Sequence, residues 1–302
     1  MAFDVRDVGY FLEAARHRHM GRAASALGLS QPALTKAIAR LERELGVRLF
    51  DRGSRGLQPT AAGEAFLVKA EHIRNAYEDA MRMAGDLRVG AAGRLRVGAS
   101  AIAASRFVTP ALSGLLRQRP NARISLSVRL STDVLRGLRA GEFDVAVIPD
   151  PPADAGGLAV VPLGEDEMVV VAAQRHPLFR QALHGLRALT AYSWILPREL
   201  TPARLWLSEA FRREGLAPPA PVVEVDYGAT EAVALAACTE LLTLAALPPG
   251  RRPWPVPVRR IDLPGLGLRR RFAALVRGDA YRSPLADALL DALEASARAS
   301  AR

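Results

Sequence analysis

Apolar residues recur with helical spacing in three consecutive blocks near the start of the chain. The first block covers residues 5–16, the second follows Arg22, and the third follows Ser30. The apolar positions of the three blocks are Val8, Phe11, Leu12 and Ala15; Ala23, Ala24 and Leu27; and Leu34, Ile38, Leu41 and Leu45. This pattern predicts three short amphipathic helices that pack together.

The link between the second and third blocks has residues suited to a tight turn. Gly28 ends the second block, and glycine tolerates the left-handed conformation found at helix C-termini. Ser30 can cap the third helix, and Pro32 fits its first turn, where a missing N–H has no consequence. These residues predict a helix-turn-helix.

The third helix leaves Gln31, Ala33, Thr35, Lys36 and Arg40 outside its apolar face. Glutamine can hydrogen-bond a base edge in the major groove, and threonine offers a methyl group to a thymine. The lysine and the arginine can reach phosphates or guanine, and the small alanine permits a close approach. The pattern favours a DNA-reading helix. The alternative is an ordinary helical hairpin with a solvated polar face.

Residues 50–60 predict a short hairpin after the third helix. Gly53 and Gly56 permit a turn between two extended pieces, and Arg52 and Arg55 flank that turn. A basic loop beside a recognition helix can lie along phosphates or enter the minor groove. The segment therefore indicates a wing.

Residues 60–87 contain no proline and carry a broad apolar stripe, which predicts one long helix that Thr60 opens. A helix of this length needs a partner for its stripe. That partner is either a second subunit or the downstream part of the same chain. Gly85, Gly90 and Gly93 are predicted to mark the helix end and a junction.

From residue 93 onward the pattern changes to alternating strands and helices. The predicted strands are residues 95–99, 124–128, 144–148, 168–172, 194–196, 222–225 and 269–276. The predicted helices are residues 109–119, 134–140, 202–214, 228–237 and 284–298. Such units predict a parallel sheet covered on both faces. The order of the units predicts two α/β lobes, joined near residue 162 and again near residues 260–266.

The predicted strand ends carry hydroxyl groups and helix starts. Ligands of open parallel sheets bind beyond the carboxyl ends of the strands, and this combination suits a carboxylate or another small anion. The candidate ligand contacts are Ser100, Ala101, Ser131, Thr132, Pro149, Thr201 and Tyr227. Arg106 or Arg198 would add charge. Each serine or threonine has a competing role as a helix cap.

The composition is that of a globular protein of two or three domains with a net charge of +10. Nearly all of the positive charge is arginine, because Lys36 and Lys69 are the only lysines, so charge alone is weak support for nucleic acid binding. Cys238 is the only cysteine, which excludes an intrachain disulfide and a two-cysteine redox switch. Its apolar surroundings predict a small buried side chain. The sequence has no pattern of a signal peptide or a membrane span, so we expect a cytoplasmic protein.

Enzymatic and metal-binding interpretations have little support in the sequence. Glu13, His17 and His19 lie near one another, but their spacing is poor and no cysteine accompanies them. Phosphate loops, dinucleotide fingerprints and nucleophile elbows do not occur in the contexts that they require. We therefore expect no cofactor, no metal ion and no enzymatic activity.

Four segments follow a family signature in the same order: residues 22–24, 30–36, 41–52 and 60–63. With them the chain resembles the LysR-type transcriptional regulators, and the resemblance extends to the C-terminus. It implies that Arg22, Ser30 and Pro32 join the third-helix and wing residues in contacting DNA. Two positions depart from the family pattern. His19 replaces a serine and removes a usual helix cap, and residues 238–240 replace a glycine-rich turn in the second lobe.

The resemblance also implies the domain organisation and the partners. Residues 1–60 would form a winged helix-turn-helix domain, and residues 61–90 a linker helix that pairs with a second subunit. Residues 91–302 would form an α/β effector domain like a periplasmic binding protein, with lobe I at about 91–161 and 266–302 and lobe II at about 162–265. The expected partners are double-stranded DNA, a small-molecule effector, RNA polymerase and further copies of the chain in a homodimer or homotetramer.

Two other hypotheses remain open at the level of sequence. The first is a DNA-binding repressor whose C-terminal domain only oligomerises and senses nothing. The second is a solute-binding or enzymatic α/β protein with an incidental helical N-terminus. Sequence-specific DNA binding that is lost when residues 1–60 are removed would separate the regulators from this last class.

Overall fold

The computed structural model describes residues 4–53, 56–89, 94–154, 156–180, 185–226, 229–248 and 253–300. The chain divides into two compact units, Met1–Gly93 with Asp279–Ser283 and Arg94–Gly278 with Pro284–Arg302. The first unit contains the predicted helix-turn-helix and the long helix. The second contains the α/β elements.

Three helices of the first unit form where the three apolar blocks predicted them. Helix α1 spans Val5–His17, α2 spans Met20–Ala26 and α3 spans Gln31–Leu45. Their apolar faces form one buried core, in which the Phe11 ring centroid lies 5.2 Å from that of Phe50. Burial of these faces supplies the main drive to pack three short helices that would be marginal alone.

Side-chain caps begin both α2 and α3. Ser30 Oγ accepts a hydrogen bond from the Ala33 N–H at 3.4 Å, as predicted. The expectation that His19 removes the cap of α2 is wrong, because its Nδ1 accepts from the N–H groups of Gly21 at 3.1 Å and Arg22 at 3.3 Å. A neutral imidazole nitrogen is a hydrogen-bond acceptor and can therefore replace a serine hydroxyl. Between the two helices, Gly28 has the left-handed φ of 66° that the turn requires.

A two-stranded wing follows α3. Strands β1, Phe50–Gly53, and β2, Gly56–Pro59, pair antiparallel. Glu42 on α3 fixes the start of the wing, because its Oε1 accepts hydrogen bonds from the N–H groups of Leu49 at 2.7 Å and Phe50 at 3.1 Å. Two backbone donors thus meet on one charged acceptor, which ties the wing to the preceding helix.

Helix α4 spans Ala61–Val89 and is the predicted long helix. The Thr60 hydroxyl accepts from the Gly63 N–H at 2.9 Å and donates to the Arg48 carbonyl at 2.7 Å. Close packing demands the glycine, since a Cβ at Gly63 would lie 2.1 Å from the Leu49 carbonyl oxygen.

The two apolar faces of α4 have different surroundings. Phe66, Leu67, Ala70 and Ile73 pack against the helix-turn-helix core. Other apolar side chains of the helix are about half exposed: Val68 54%, Tyr77 52%, Met81 59% and Met83 46%. The helix continues through Gly85, so the prediction that this glycine marks its end is wrong. The predicted junction at Gly90 and Gly93 lies outside the described residues.

The second unit contains nine strands in its described part. They are β3 Arg94–Ala99, β4 Arg123–Val128, β5 Val145–Pro149, β6 Leu158–Ala173, β7 Trp194–Pro197, β8 Pro221–Val225, β9 Thr243–Ala246, β10 Val258–Arg260 and β11 Gly267–Arg277. Seven of them form one sheet in the order β10–β6–β11–β5–β3–β4, with β9 also paired to β6. The other two, β7 and β8, pair parallel with each other.

The large sheet is mixed, which corrects the prediction of a parallel sheet. Strand β3 runs parallel to β4 and β5, but β11 is antiparallel to both β5 and β6. Strand β6 continues across the predicted lobe boundary near residue 162, and β11 pairs with β6 along its whole length. A register shift opposite Phe272 and Ala273 accommodates Pro162 and Gly164 within one continuous strand.

Six helices complete the described part of this unit: α5 Ala101–Ala103, α6 Thr109–Gln118, α7 Ser131–Arg139, α8 Pro202–Arg213, α9 Ala229–Ala237 and α10 Pro284–Ser300. A π-helical turn at Ala104–Val108 joins α5 to α6. Cys238 follows α9 and is exposed, so the prediction of a buried thiol is wrong. The buried face of α9 carries Ala232, Val233 and Ala236, and Cys238 lies beyond it where the chain turns.

Candidate DNA-binding surface and effector cleft

Helix α3 presents one face to the surface along its length. Its residues with the largest exposure are Gln31, Pro32, Ala33, Lys36, Ala39, Arg40 and Arg43, and Thr35 is half-buried. Sequence reasoning did not name Ala39 and Arg43, although each lies three or four residues from an exposed neighbour on the same face. The face carries the small side chain of Ala33 near its N-terminus and the basic side chains of Lys36, Arg40 and Arg43 further along, which suits a helix in the major groove.

The Gln31 side chain lies against the first turn of α2. A Cβ built on Gly21 would lie 3.3 Å from Gln31 Oε1 and 3.2 Å from His19 Cε1. The absence of a side chain at Gly21 therefore makes room for the amide of Gln31 beside the imidazole that caps α2. The amide that the sequence predicts to read a base therefore lies close to the start of α2.

Arg40 forms an ion pair that joins α3 to α1. Its Nε and NH2 donate to the two carboxylate oxygens of Asp7 at 2.8 and 2.5 Å. The Asp7 side chain is 1% exposed and the Arg40 side chain 49% exposed. The hydrogen bonds to Asp7 raise the pKa of Arg40 above its ordinary value. Asp7 lies four residues before Phe11 on the buried face of α1. A carboxylate on a buried helix face needs a partner, so the sequence contained a signal that Asp7 forms an ion pair.

The structure therefore gives Arg40 a role in orienting the recognition helix, and contact with DNA stays a prediction. Arg22 is exposed in the first turn of α2, and Ser30 uses its hydroxyl as the cap of α3. Arg52 belongs to β1, but its side chain lies outside the described part of the wing, as does Arg55 altogether.

A cavity of about 200 Å³ opens in the second unit. The carboxyl ends of β3, β4, β5, β7 and β8 all contribute to its lining. The crossing strands β6 and β11 contribute Met168 and Arg270. The cavity lies where the strand-end rule places ligands of α/β sheets.

Most of the predicted ligand residues meet at this cavity. Those that line it are Ser100, Ala101, Ser131, Pro149 and Thr201. Thr132 is exposed and outside the lining, because it lies one residue further along α7 than Ser131. Tyr227 lies outside the described residues. The Ser100 hydroxyl also accepts from the Ala103 N–H at 3.4 Å, so it combines the cap role with a position at the cavity.

The charged residues nominated for the site are engaged elsewhere. Arg198 makes a two-pronged ion pair with Asp226, with NH2 2.9 Å from Oδ2. Arg106 donates to the Glu165 carbonyl oxygen at 2.9 Å and is not a lining residue. The arginines that do line the cavity are Arg129 and Arg270.

Two kinds of lining residue were absent from the sequence prediction. Arg129 directly follows β4, so the strand-end rule applied to the first residue after the strand would have found it. Met168 and Arg270 come from the middle or start of crossing strands, where that rule gives no signal. Their place at the cavity depends on the pairing of β6 with β11, which joins residues about a hundred positions apart in sequence.

Within the described ranges, no group of three or more histidine, cysteine, aspartate or glutamate side chains is arranged to hold a metal ion. Nor does any helix there combine the length and apolar character needed to cross a membrane.

Comparisons with known proteins identify relatives of both units. The model of the bacterial regulatory helix-turn-helix protein, lysR family, matches residues 5–64, and that of the LysR substrate binding domain matches residues 88–298. The transcriptional regulator GalR of Pseudomonas putida is 33% identical over 296 residues, which cover 95% of this chain and 72% of that protein. CbbR of Xanthobacter flavus is 29% identical over 291 residues, which cover 93% of this chain and 84% of that protein.

Solved structures share the fold. A full-length OxyR variant from Pseudomonas aeruginosa has a TM-score of 0.65 at 21% identity, over 97% of this chain and 95% of that chain. CbnR in complex with its target DNA has a TM-score of 0.59 at 23% identity, over 97% of this chain and 99% of that chain. With the two family models, these relatives show that the chain belongs to the LysR family and is a transcriptional regulator with an N-terminal helix-turn-helix and a C-terminal effector-binding domain.

Proposed function

We propose that this regulator binds an inverted-repeat promoter site as a dimer or tetramer, and that a small carboxylate in the cleft changes its DNA contacts and its contact with RNA polymerase. One observation supports the proposal most directly. The same chain carries an exposed, partly basic recognition helix and a cavity between two lobes, each where the strand and helix geometry favours binding.

The DNA-binding part of the proposal rests on the exposed face of α3. Gln31 supplies an amide suited to an adenine edge, and Lys36 supplies a point charge for a phosphate. Ala33 is exposed near the start of α3, and its small side chain would allow the helix to approach the groove closely. Arg40, held by Asp7, keeps the helix in a fixed orientation relative to α1.

The oligomer part rests on α4. Val68, Tyr77, Met81 and Met83 are about half exposed, and burying them against the same helix of a second copy would remove apolar surface from water. A two-fold dimer presents two copies of α3, which can read half-sites roughly 34 Å apart on one face of DNA. An inverted repeat is the sequence symmetry that matches such a dimer.

The sensing part rests on the cleft. The Ser100, Ser131 and Thr201 segments all line the cavity at the beginnings of helices, where backbone N–H groups lack partners within the helix. A ligand that contacts both lobes binds one arrangement of the lobes more tightly than another. That difference in affinity is sufficient to shift the arrangement of the oligomer.

The test is a footprint on the DNA upstream of the protein's own gene and its divergent neighbour, with and without candidate carboxylates. We expect protection of an inverted repeat, and a change in its length or a new cleavage-sensitive bend with one compound. Protection that never responds would favour the repressor that senses nothing. Failure to protect any DNA at low salt would refute the DNA-binding proposal itself.

A further inference from the structure

Three charged side chains meet where the crossing strands run side by side. Arg270 on β11 donates to Asp166 on β6, from Nε to Oδ1 at 2.8 Å and from NH2 to Oδ2 at 2.6 Å. The side chains of Asp166 and Arg270 are 1% and 8% exposed. Arg106, from the π-helical turn, places NH1 3.8 Å from Asp166 Oδ2. One buried carboxylate is therefore shared by two guanidinium groups.

The guanidinium of Arg270 has one nitrogen that Asp166 does not use. Because Nε and NH2 face the carboxylate, NH1 lies on the opposite side, and it has no hydrogen-bond partner among the described residues. NH1 is not sealed from solvent, and Arg270 lines the cavity between the lobes. The Phe272 ring, whose centroid lies 5.5 Å from Cζ, and Asp166 together hold the group in place. A fixed, charged donor pair is thus available to a ligand.

The charge of this cluster favours an anion. Two guanidinium groups and one carboxylate leave an excess of one positive charge. The acidic neighbours do not cancel it, because Glu165 is exposed and Glu167 pairs with Arg260 at 3.3 Å. Asp150 also lines the cavity, but it is exposed, so solvent screens its charge, and its Oδ1 accepts the Arg271 N–H at 2.9 Å. Charges interact more strongly at a buried site than in water, so the excess positive charge of the cluster favours a ligand oxyanion.

We infer that Arg270 binds an oxyanion of the effector through NH1, and that Asp166 is the positioning residue that fixes the guanidinium. The ligand class is a small molecule with a carboxylate or phosphate group and an apolar body. Ile102, Met168 and Leu244 line the same cavity and would contact that body. This inference rests on the proposed function, since it concerns the effector of the same cleft.

A purely structural role for the cluster makes a different prediction. If the ion pair only joins β6 to β11, neutral variants of the pair will change the melting temperature and leave ligand preference unchanged. If Arg270 binds the ligand, they will remove the preference for a charged ligand over its neutral isostere. Ligand charge preference is therefore the readout that separates the two roles.

The experiment is calorimetric titration of the full-length protein with three probes: benzoate, phenyl phosphate and uncharged benzamide. The main variant is Asp166→Asn with Arg270→Gln, which removes both charges together and so avoids a buried, unpaired carboxylate. Arg269→Gln is the matched control, because Arg269 is the preceding residue of β11 and is exposed. Asp166→Asn alone tests the positioning role.

We expect the natural protein and Arg269→Gln to bind benzoate or phenyl phosphate and to discriminate against benzamide. The tighter of the two anions identifies the oxyanion. The double variant should lose at least about tenfold in affinity for that anion, as expected for a lost charge-assisted hydrogen bond. Asp166→Asn alone should give an intermediate loss, and Arg270→Lys should bind better than the double variant but worse than the natural protein.

The inference is overturned if the double variant binds the anion as well as the natural protein, or if the natural protein shows no preference for an anion over benzamide. A footprint with the double variant separates this outcome from failure of the regulator proposal. Unchanged protection of DNA would leave the regulator proposal in place while the Arg270 assignment falls. If the double variant has a lower melting temperature than the natural protein, Arg270→Lys replaces it as the test of ligand binding. Lysine retains the charge of Arg270 but lacks the geometry of NH1.

Discussion

Replacement of Gly63 by alanine tests the packing that places the wing beside the long helix. Gly63 lies in the first turn of α4, against the backbone of Leu49, which precedes β1. A Cβ at this position would lie 2.1 Å from the Leu49 carbonyl oxygen and 3.1 Å from its carbonyl carbon. Real Cβ atoms essentially never come within 3.0 Å of such an atom. Because the obstacle is backbone, no rotamer change can relieve it.

The size of the effect follows from two opposing terms. Overpacking a well-packed site costs about 1–3 kcal/mol, and alanine regains about 0.5–1 kcal/mol over glycine as a helix residue. We therefore expect Gly63→Ala to destabilise the first unit by roughly 1–2 kcal/mol. For a unit of this size that corresponds to a fall of roughly 5–15 °C in melting temperature.

Gly85→Ala on the same helix is the matched control. Nothing lies within 4 Å of a Cβ built there, and the residue is exposed. The helix term then acts alone and should raise the melting temperature by about 2–8 °C. Scanning calorimetry of the full chain measures both variants, and gel-shift titration measures DNA affinity. Equal or higher stability of Gly63→Ala, with Gly85→Ala behaving as expected, would refute the packing assignment.

Three further predictions concern the DNA-binding unit. Gln31→Ala should remove about 1–3 kcal/mol of discrimination between operator and random DNA. Lys36→Ala should instead weaken binding to operator and to random DNA alike and lower the salt dependence of binding. If Gln31→Ala discriminates as well as the natural protein in competition gel shifts, the role of Gln31 is contradicted. His19→Ala should destabilise the unit by about 0.5–2 kcal/mol through loss of the α2 cap, and His19→Ser should retain the cap; identical melting of both variants would count against capping by the imidazole. Met81→Glu should shift the protein toward monomer in sedimentation, because it places a charge in the exposed apolar stripe of α4; an unchanged oligomer would move the dimer contact elsewhere.

Local sequence patterns predicted the helices and the wing of the first unit. Helical spacing of apolar residues predicted α1, α2 and α3, and the caps at Ser30 and Thr60 could be identified from residue type. These features depend on contacts within a few residues, so short-range chemistry fixes them. The His19 cap was missed because the family pattern has a serine at this position and its absence suggested that no cap was present. The lone pair of the imidazole accepts the backbone hydrogen bond in its place.

The cleft was predicted in part for the same reason. Strand ends and helix starts are local features, and they correctly brought Ser100, Ser131 and Thr201 to one cavity. The role of these residues in binding an effector stays a prediction. Thr132 shows the limit of the method, since one residue along a helical turn is enough to move a side chain out of the lining.

The sequence by itself determined the order of elements, the helix-turn-helix and the family signature, because each follows from residue spacing along the chain. Only the tertiary structure decided which charged side chains meet. Arg40 pairs with Asp7 across 33 positions, and Arg270 pairs with Asp166 across 104. Such partners are chosen by how helices pack and how strands align in register. Those choices minimise the free energy of the whole fold, and no local pattern contains them.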